Sequence, residues 1–165
     1  MGMTDLRVRD VMTTTVVTIG ADATLHDATV TFAINGISGA PVVDAAGNIV
    51  GVLSETDILA FVMTLQEEIR RKQPGTSFLS VPLEDILMND KLAGVYSDIS
   101  GKRVNEIMSR EVLTVSADTG IMEAIEMMMK KDVNRVPVVD QGKLVGIVTK
   151  GDIIWALYRD KFSKA

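Results

Sequence analysis

The hydrophobic and polar positions of the chain follow one order of elements and then repeat it. A short β-branched run, Val16–Ile19, comes before apolar residues that recur at helical spacing. Two further strand-like runs, Pro41–Val43 and Ile49–Leu53, come next. A second helical pattern then extends over residues 54 to about 72. The pattern predicts the order β-α-β-β-α for this part of the chain.

The second half of the chain has the same pattern. Its strand-like runs are Val112–Val115, Pro137–Val139 and Leu144–Val148. A helical pattern separates the first run from the second, and another covers residues 149 to about 160. We therefore expect the same five elements again.

Two sequence blocks show that this is a tandem duplication. The run PVVD at Pro41–Asp44 recurs at Pro137–Asp140, and GVLSETDI at Gly51–Ile58 is matched by GIVTKGDI at Gly146–Ile153. Such matches in register are the sign of an internal repeat. The predicted fold is α/β (α+β), with units at 8–62 and 104–160 joined by a linker at 63–103.

The linker differs in character from the two repeats. Pro74-Gly75 is a strong chain break, and Pro82 can open a short helix over Leu83–Met88. We expect the rest to be a loop that carries Gly94 and Gly101. The first helix of each repeat has its own start signal: Thr24 and Asp27 form a capping-box pattern, and the second repeat has Gly120, a weaker cap.

Composition excludes several classes of protein. The chain has 165 residues, no cysteine and one histidine, so disulfides, cysteine zinc sites and cysteine nucleophiles are absent. A net charge of −5 argues against nucleic-acid binding, which depends on Lys and Arg. No apolar run has the roughly 20 residues of a membrane span, and we expect a cytoplasmic protein. There is no P-loop and no marked catalytic group, so we expect no enzyme.

The repeated motifs resemble the CBS-domain family, regulatory modules named for cystathionine β-synthase that usually occur as tandem pairs (Bateman modules). The resemblance covers nearly all of Val8–Phe61 and Val104–Tyr158 and indicates a small stand-alone pair. It implies that the units pack through their sheets around a pseudo-two-fold axis. It also implies two clefts that bind adenosyl ligands such as AMP, ADP, ATP or S-adenosylmethionine as regulators, with no cofactor required.

The resemblance also implies which residues bind the nucleotide. Asp57 and Asp152 match aspartates that hold ribose hydroxyls, and Arg135 matches a position that often carries a phosphate-binding arginine. The hydroxyl residues near ribose or phosphate are Ser54 and Thr149, and the remaining positions are Thr18, Ile37, Ser38, Gly39, Ala40, Pro41, Thr114, Val133, Asn134, Val136 and Pro137. Because Ser38-Gly39 stands where the second repeat has Asn134-Arg135, we expect two inequivalent sites.

The residues themselves suit this chemistry, although a purely structural role is also open. A carboxylate such as Asp57 can accept hydrogen bonds from vicinal hydroxyls, and a helix N-terminus favours anions. The S-x-x-D and T-x-x-D patterns are equally capping boxes, and both roles can hold together. Gly51 and Gly146 are expected to let the strand backbone approach a ligand closely.

The sequence therefore favours an energy-sensing regulatory module. Ligand occupancy would be transmitted to a partner protein or to its own oligomer, by a shift between conformations that ligand contacts bias. The family commonly forms dimers of pairs through the helices, so a homodimer is expected. Two alternatives remain: a dimerisation or scaffold module that binds no nucleotide, and a small nucleotide-handling enzyme.

Overall fold

The computed structural model describes residues 6–72, 75 and 90–162. These residues form two compact units. The first-repeat unit contains residues 18–45, 50–72, 75 and 90–110, and the second-repeat unit contains residues 6–17, 46–49 and 111–162. The residues that open each repeat thus belong to the unit built around the other repeat.

The first-repeat unit carries a three-stranded sheet and four helices. They are β1 (Ile19–Gly20), α1 (Leu25–Asn35), β2 (Gly39–Val43), β3 (Ile49–Ser54), α2 (Glu55–Lys72), α3 (Asp90–Gly101) and α4 (Val104–Ile107). The strand order is β1-β2-β3, and β1 is parallel to β2 with Ile19 opposite Val42. Helix α1 begins as predicted, because the Asp27 N–H donates to Thr24 Oγ1 at 3.1 Å and the Asp27 carboxylate accepts from the Thr24 N–H.

The second-repeat unit carries a two-stranded sheet and two helices. Its elements are α5 (Ile121–Lys130), β4 (Arg135–Asp140), β5 (Lys143–Thr149) and α6 (Lys150–Phe162), with a 3₁₀ turn at Val8–Asp10. Strands β4 and β5 are antiparallel, with Val136 opposite Val148. Helix α5 begins after Gly120, which has an extended backbone and gives no side-chain cap.

Each unit buries its own apolar core. In the first-repeat unit the core consists of Ile19, Ala28, Phe32, Ala40, Val42, Leu53, Val104 and Met108. In the second-repeat unit it consists of Val8, Val115, Ile121, Ala124, Met128, Val136, Val138, Val148 and Ile153. Over the described ranges no polar or charged residue is buried. Apolar burial is therefore the main stabilising contribution in both units.

Two corresponding valines lie in exchanged positions. Val8 opens the first repeat but is fully buried in the second-repeat core, and its N–H donates to the Thr119 carbonyl at 2.9 Å. Val104 opens the second repeat but is fully buried in the first-repeat core, and its N–H donates to the Ala23 carbonyl at 2.9 Å. The folding of each unit therefore requires residues from both repeats.

The same opening segments pair with the strands. Thr13 and Ile147 exchange two backbone hydrogen bonds of 2.9 Å, and Ser109 and Val52 do the same. The predicted strands Val16–Ile19 and Val112–Val115 are wrong in extent. Only Ile19–Gly20 forms β1, and in the later run only Val115 bridges a strand, at Val138.

The predicted loop around Gly94 and Gly101 is also wrong, because both glycines lie in α3. The apolar residues Val95, Tyr96 and Ile99 recur at helical spacing. Helix α3 packs against α1, and such packing outweighs the roughly 1 kcal/mol that an interior glycine costs. The predicted chain break at Pro74 and short helix at 83–88 lie outside the described residues.

Candidate functional site

The candidate site of the first-repeat unit lies at the junction of β3 and α2. Asp57 Oδ2 accepts hydrogen bonds from the Ser54 N–H at 2.8 Å and from the Ser54 hydroxyl at 2.7 Å. In return, the Asp57 N–H donates to Ser54 Oγ at 3.3 Å. The capping role is therefore realised in this structure.

The second-repeat unit repeats this geometry at the junction of β5 and α6. Asp152 Oδ2 accepts from the N–H and the hydroxyl of Thr149, both at 2.8 Å, and the Asp152 N–H donates to Thr149 Oγ1 at 3.1 Å. Both junctions are half-buried. The two repeats thus conserve the hydrogen-bond pattern although the hydroxyl residue changes from Ser to Thr.

Capping uses only one oxygen of each aspartate. In the described part of the chain, no group donates a hydrogen bond to Oδ1 of Asp57 or of Asp152. An ionised carboxylate oxygen can accept two hydrogen bonds, so each Oδ1 can still accept from a ligand hydroxyl. Capping and ligand binding are therefore compatible on the same side chain.

In each unit, the loop before β2 or β4 forms a backbone hydrogen bond with the junction. The Glu55 N–H donates to the Ser38 carbonyl and the Lys150 N–H donates to the Asn134 carbonyl, both at 3.0 Å. These bonds place the Ser38 and Asn134 loops beside the helix N-termini. Predicted residues of each repeat are thus brought together within one unit.

The residue that follows Ser38 or Asn134, at the start of β2 or β4, differs between the two units. A Cβ added at Gly39 would lie 2.9 Å from the Leu53 carbonyl oxygen and 3.2 Å from Ser54 Cα, so a larger residue would require a backbone shift. The corresponding residue of the second-repeat unit is Arg135, which pairs with Thr149 in the β4–β5 ladder. The second-repeat unit therefore has a cation at this position, and the first does not.

The other predicted residues fall into two groups. Four are buried, namely Ala40, Pro41, Val136 and Pro137, while Ile37 and Val133 are half-buried. Buried side chains offer no surface to a ligand, so these four could contribute only through their backbone. Thr18 is exposed and Thr114 is half-buried. No hydrogen bond among the described residues joins Thr18 or Thr114 to Asp57 or Asp152.

The repeats match a family model, the CBS domain, at residues 8–64 and 104–159. These two matches cover more than half of the chain. The chain belongs to the CBS-domain family. The mixed α/β pair architecture agrees with solved CBS-pair structures, as the sequence predicts.

Three relatives illustrate the similarity. The uncharacterized protein MJ1426 of Methanocaldococcus jannaschii is 34% identical over 152 residues, covering 91% of this chain and 90% of that protein. The crystal structure of CBSX2 in complex with AMP has a TM-score of 0.69 and 26% identity, covering 94% of this chain and 98% of that one. CBSX2 is a chloroplastic CBS-domain protein of Arabidopsis thaliana. An A-adding tRNA nucleotidyltransferase of Aquifex aeolicus is 27% identical over 155 residues, but these are only 15% of that enzyme.

Gly51 and Gly146 of this CBS pair do not have the predicted role. A Cβ at Gly51 would lie 2.5 Å from Met108 Sδ and 2.8 Å from the Ser109 carbonyl oxygen. A Cβ at Gly146 would lie 2.7 Å from Met12 Sδ. The close approach that requires glycine is therefore to the opening segment of the other repeat, and no room is left there for a ligand.

Sequence reasoning missed one group of residues near Asp152. A cavity of about 100 Å³ in the second-repeat unit is lined by Asp10, Val11, Asp152, Trp155, Ala156 and Arg159. Trp155 and Arg159 could have been found from their spacing of three and seven residues from Asp152 on α6. Asp10 could not, because only the exchanged opening segment brings it there.

The first-repeat unit has a larger cavity of about 290 Å³ between α1 and α2. It is lined by Thr29, Phe32, Ala33, Glu55, Ile58 and Leu59. None of the predicted nucleotide-binding residues lines it.

No helix in the part of the chain that the structure describes has both the length and the apolar character needed to cross a membrane.

Proposed function

We propose that this chain is a regulatory module that binds an adenosyl ligand at the Asp57 and Asp152 junctions. The observation that carries the proposal is the duplicated aspartate with one oxygen used for capping and the other available to ribose. The complex of CBSX2 with AMP supports an adenine nucleotide as the ligand class. Binding serves regulation rather than turnover, and the ligand is AMP, ADP, ATP or S-adenosylmethionine.

Arg135 distinguishes the two sites. Its guanidinium offers a planar set of donors that matches phosphate oxygens, whereas the first-repeat unit has Gly39 there. The second-repeat site is therefore the one that binds a phosphorylated ligand more tightly. The first-repeat site depends on Asp57 and on uncharged contacts.

The proposal is tested by calorimetric and thermal-shift titration with AMP, ADP, ATP, S-adenosylmethionine and NADH. A ligand at 100 times its Kd stabilises the folded state by about 2.7 kcal/mol, which raises Tm by roughly 5–10 °C in a chain of this size. Absence of a shift with all five ligands would refute it. Incubation with ATP or AMP should give no product, and turnover would show an enzyme instead.

Site variants separate binding from capping. Asp57→Asn and Asp152→Asn keep the side-chain shape but remove the charge, so each should weaken one nucleoside site while the Tm of the free protein changes little. Asp98→Asn is the matched control, since Asp98 is exposed on α3 and belongs to neither junction. Equal loss of affinity in the control variant would rule out the assigned site.

A dimerisation module without a nucleotide is the second candidate. Corresponding positions of α2 and α6 expose large apolar side chains: Leu59 and Ile154 are 62% and 66% exposed, and Met63 and Tyr158 are 65% and 55% exposed. Exposed apolar patches are typical of interaction surfaces. We propose that these helix faces form a homodimer contact. Sedimentation of Leu59→Lys and Ile154→Lys variants should show monomers, and an unchanged dimer would refute the assigned surface.

A further inference from the structure

The cavity beside Asp152 contains an acid and an aromatic ring that the ribose role does not use. The Trp155 ring is 63% exposed and stacks on Tyr158, with ring centroids 6.2 Å apart and planes 15° apart. Asp10 Oδ2 accepts from the Arg7 N–H at 2.8 Å, and no described residue donates to its other oxygen. An aromatic face next to a carboxylate attracts an organic cation.

The corresponding place in the first-repeat unit holds a cation of the protein itself. Lys102 Nζ lies 2.9 Å from Glu106 Oε1 and 5.9 Å from the centroid of the Phe61 ring. The hydrogen bond from Lys102 is the largest of the effects that hold the pKa of the Glu106 carboxyl below its usual range. In the first-repeat unit, acid and aromatic ring therefore enclose an ammonium group.

The alignment of the repeats relates the two places. Glu106 corresponds to Asp10, and Phe61 corresponds to Ala156, which follows Trp155 on α6 and also lines the cavity. Lys102 corresponds to Leu6, which packs on the apolar core and carries no charge. The second-repeat unit thus has an acid at the same position and an aromatic ring one position earlier on the helix, but it lacks the lysine.

Among the described residues, Arg159 supplies the one basic side chain that lines the cavity. Its guanidinium makes no ion pair or hydrogen bond with the residues that the structure describes. The described lining therefore has two carboxylates and one guanidinium, a charge pattern opposite to that of an amino acid attached to a sulfonium centre. Such a tail has two positive groups and one carboxylate, and the carboxylate would pair with Arg159.

We propose that this cavity binds the cationic tail of a nucleoside ligand, and that Asp10, Trp155 and Arg159 select a sulfonium amino-acid tail over a neutral one. The proposal rests on the proposed function, since Asp152 holds the ribose of the same ligand. The first-repeat unit lacks this selectivity because Lys102 already occupies the corresponding place. Phosphate binding at Arg135 is a separate contact and is unaffected.

The test compares S-adenosylmethionine with S-adenosylhomocysteine, which lacks the methyl group and the sulfonium charge. In calorimetry, the charged ligand should bind the second-repeat site about tenfold more tightly. The affinity ratio should fall below about threefold in Asp10→Asn and Trp155→Leu, while Trp155→Phe keeps most of it and AMP affinity stays the same. Glu106→Gln is the matched control and should leave the ratio unchanged.

A second variant supplies the missing cation. Leu6→Lys places an ammonium group where Lys102 stands in the other repeat, so it should abolish the preference for the sulfonium ligand without weakening AMP. Trp155 is the single tryptophan of the chain, so its fluorescence reports occupancy of the cavity directly. Folding of the variant is checked by its Tm.

The outcomes separate this proposal from the proposed function. If AMP binds but S-adenosylmethionine and S-adenosylhomocysteine bind equally tightly, the cavity assignment is overturned and the proposed function stands. If no adenosyl ligand binds, both are overturned. A ratio of about ten that survives Asp10→Asn and Trp155→Leu also overturns the assignment.

Discussion

The two repeats share several backbone contacts but have different side chains around them. Each strand-to-helix junction has an aspartate that accepts from the preceding hydroxyl residue, and each opening segment forms paired hydrogen bonds of 2.9 Å with a strand. By contrast, Gly39 corresponds to Arg135, Ala60 to Trp155 and Lys102 to Leu6. Duplication has therefore preserved the framework, while the charged and aromatic groups around the proposed sites have diverged.

The exchange of Val8 and Val104 predicts the largest effects. Val8→Ala and Val104→Ala should each cost about 2 kcal/mol, because buried methyl groups are lost and a cavity remains. Hydrogen exchange should show that Val8→Ala loosens β4, β5 and α5, whereas Val104→Ala loosens α1 and β2. Loosening confined to the repeat that contains the mutation in sequence would contradict the exchange.

Two glycines sharpen the comparison of the opening segments. An alanine Cβ at Gly51 would approach the Ser109 carbonyl oxygen to 2.8 Å, and one at Gly146 would approach the Thr13 carbonyl oxygen to 3.1 Å. Overpacking against backbone costs roughly 1–3 kcal/mol, so both variants should be destabilised, Gly51→Ala more than Gly146→Ala. Gly20→Ala is the control because its Cβ would meet nothing within 4 Å. Chemical denaturation measures all three, and the reverse order would show that the segments pack differently.

Features that depend on neighbouring residues could be predicted from the sequence, whereas contacts between distant segments could not. The repeated PVVD and S/T-x-x-D motifs predict the strands and the helix starts, because strand runs and caps depend on neighbouring residues. The burial of Val8 in the same core as Ile121 could not be predicted, since it depends on contacts between distant segments. Helix α3 was missed because Gly94 and Gly101 indicate a loop locally, whereas packing against α1 favours a helix.

The difference between Gly39 and Arg135 predicts an effect of intermediate size on AMP affinity. Arg135→Gln should weaken AMP about tenfold while adenosine affinity changes little, because only AMP has a phosphate for the guanidinium. Calorimetry with both ligands gives the ratio, and Arg110→Gln on the first-repeat unit is the control. Equal losses for adenosine and AMP would exclude a phosphate contact at Arg135.

The caps of α1 and α5 differ, and Thr24 gives a pH-dependent prediction. The Thr24 hydroxyl, followed by the Thr24 N–H, holds the pKa of Asp27 below its ordinary value of 3.8. Since the pKa is lower in the folded state, this contribution to stability is complete above pH 3.8 and is lost as the pH falls toward the folded pKa. In Thr24→Val, NMR titration should show the Asp27 pKa moving up, and stability should depend less on pH below 4. An unchanged pKa would mean that the hydroxyl is not its cause.

The smallest effect comes from giving α5 the cap that α1 already has. Gly120 has φ −64° and ψ 142°, a conformation open to any residue, and an added Cβ would meet nothing within 4 Å. In Gly120→Ser the new hydroxyl can accept from the N–H of Glu123, whose carboxylate can complete a capping box. Stability should rise by a few tenths of a kcal/mol, or about 1 °C in Tm. Gly120→Ala is the control that restricts the unfolded chain without a cap, so an equal gain in both variants would show that chain entropy and not capping is responsible.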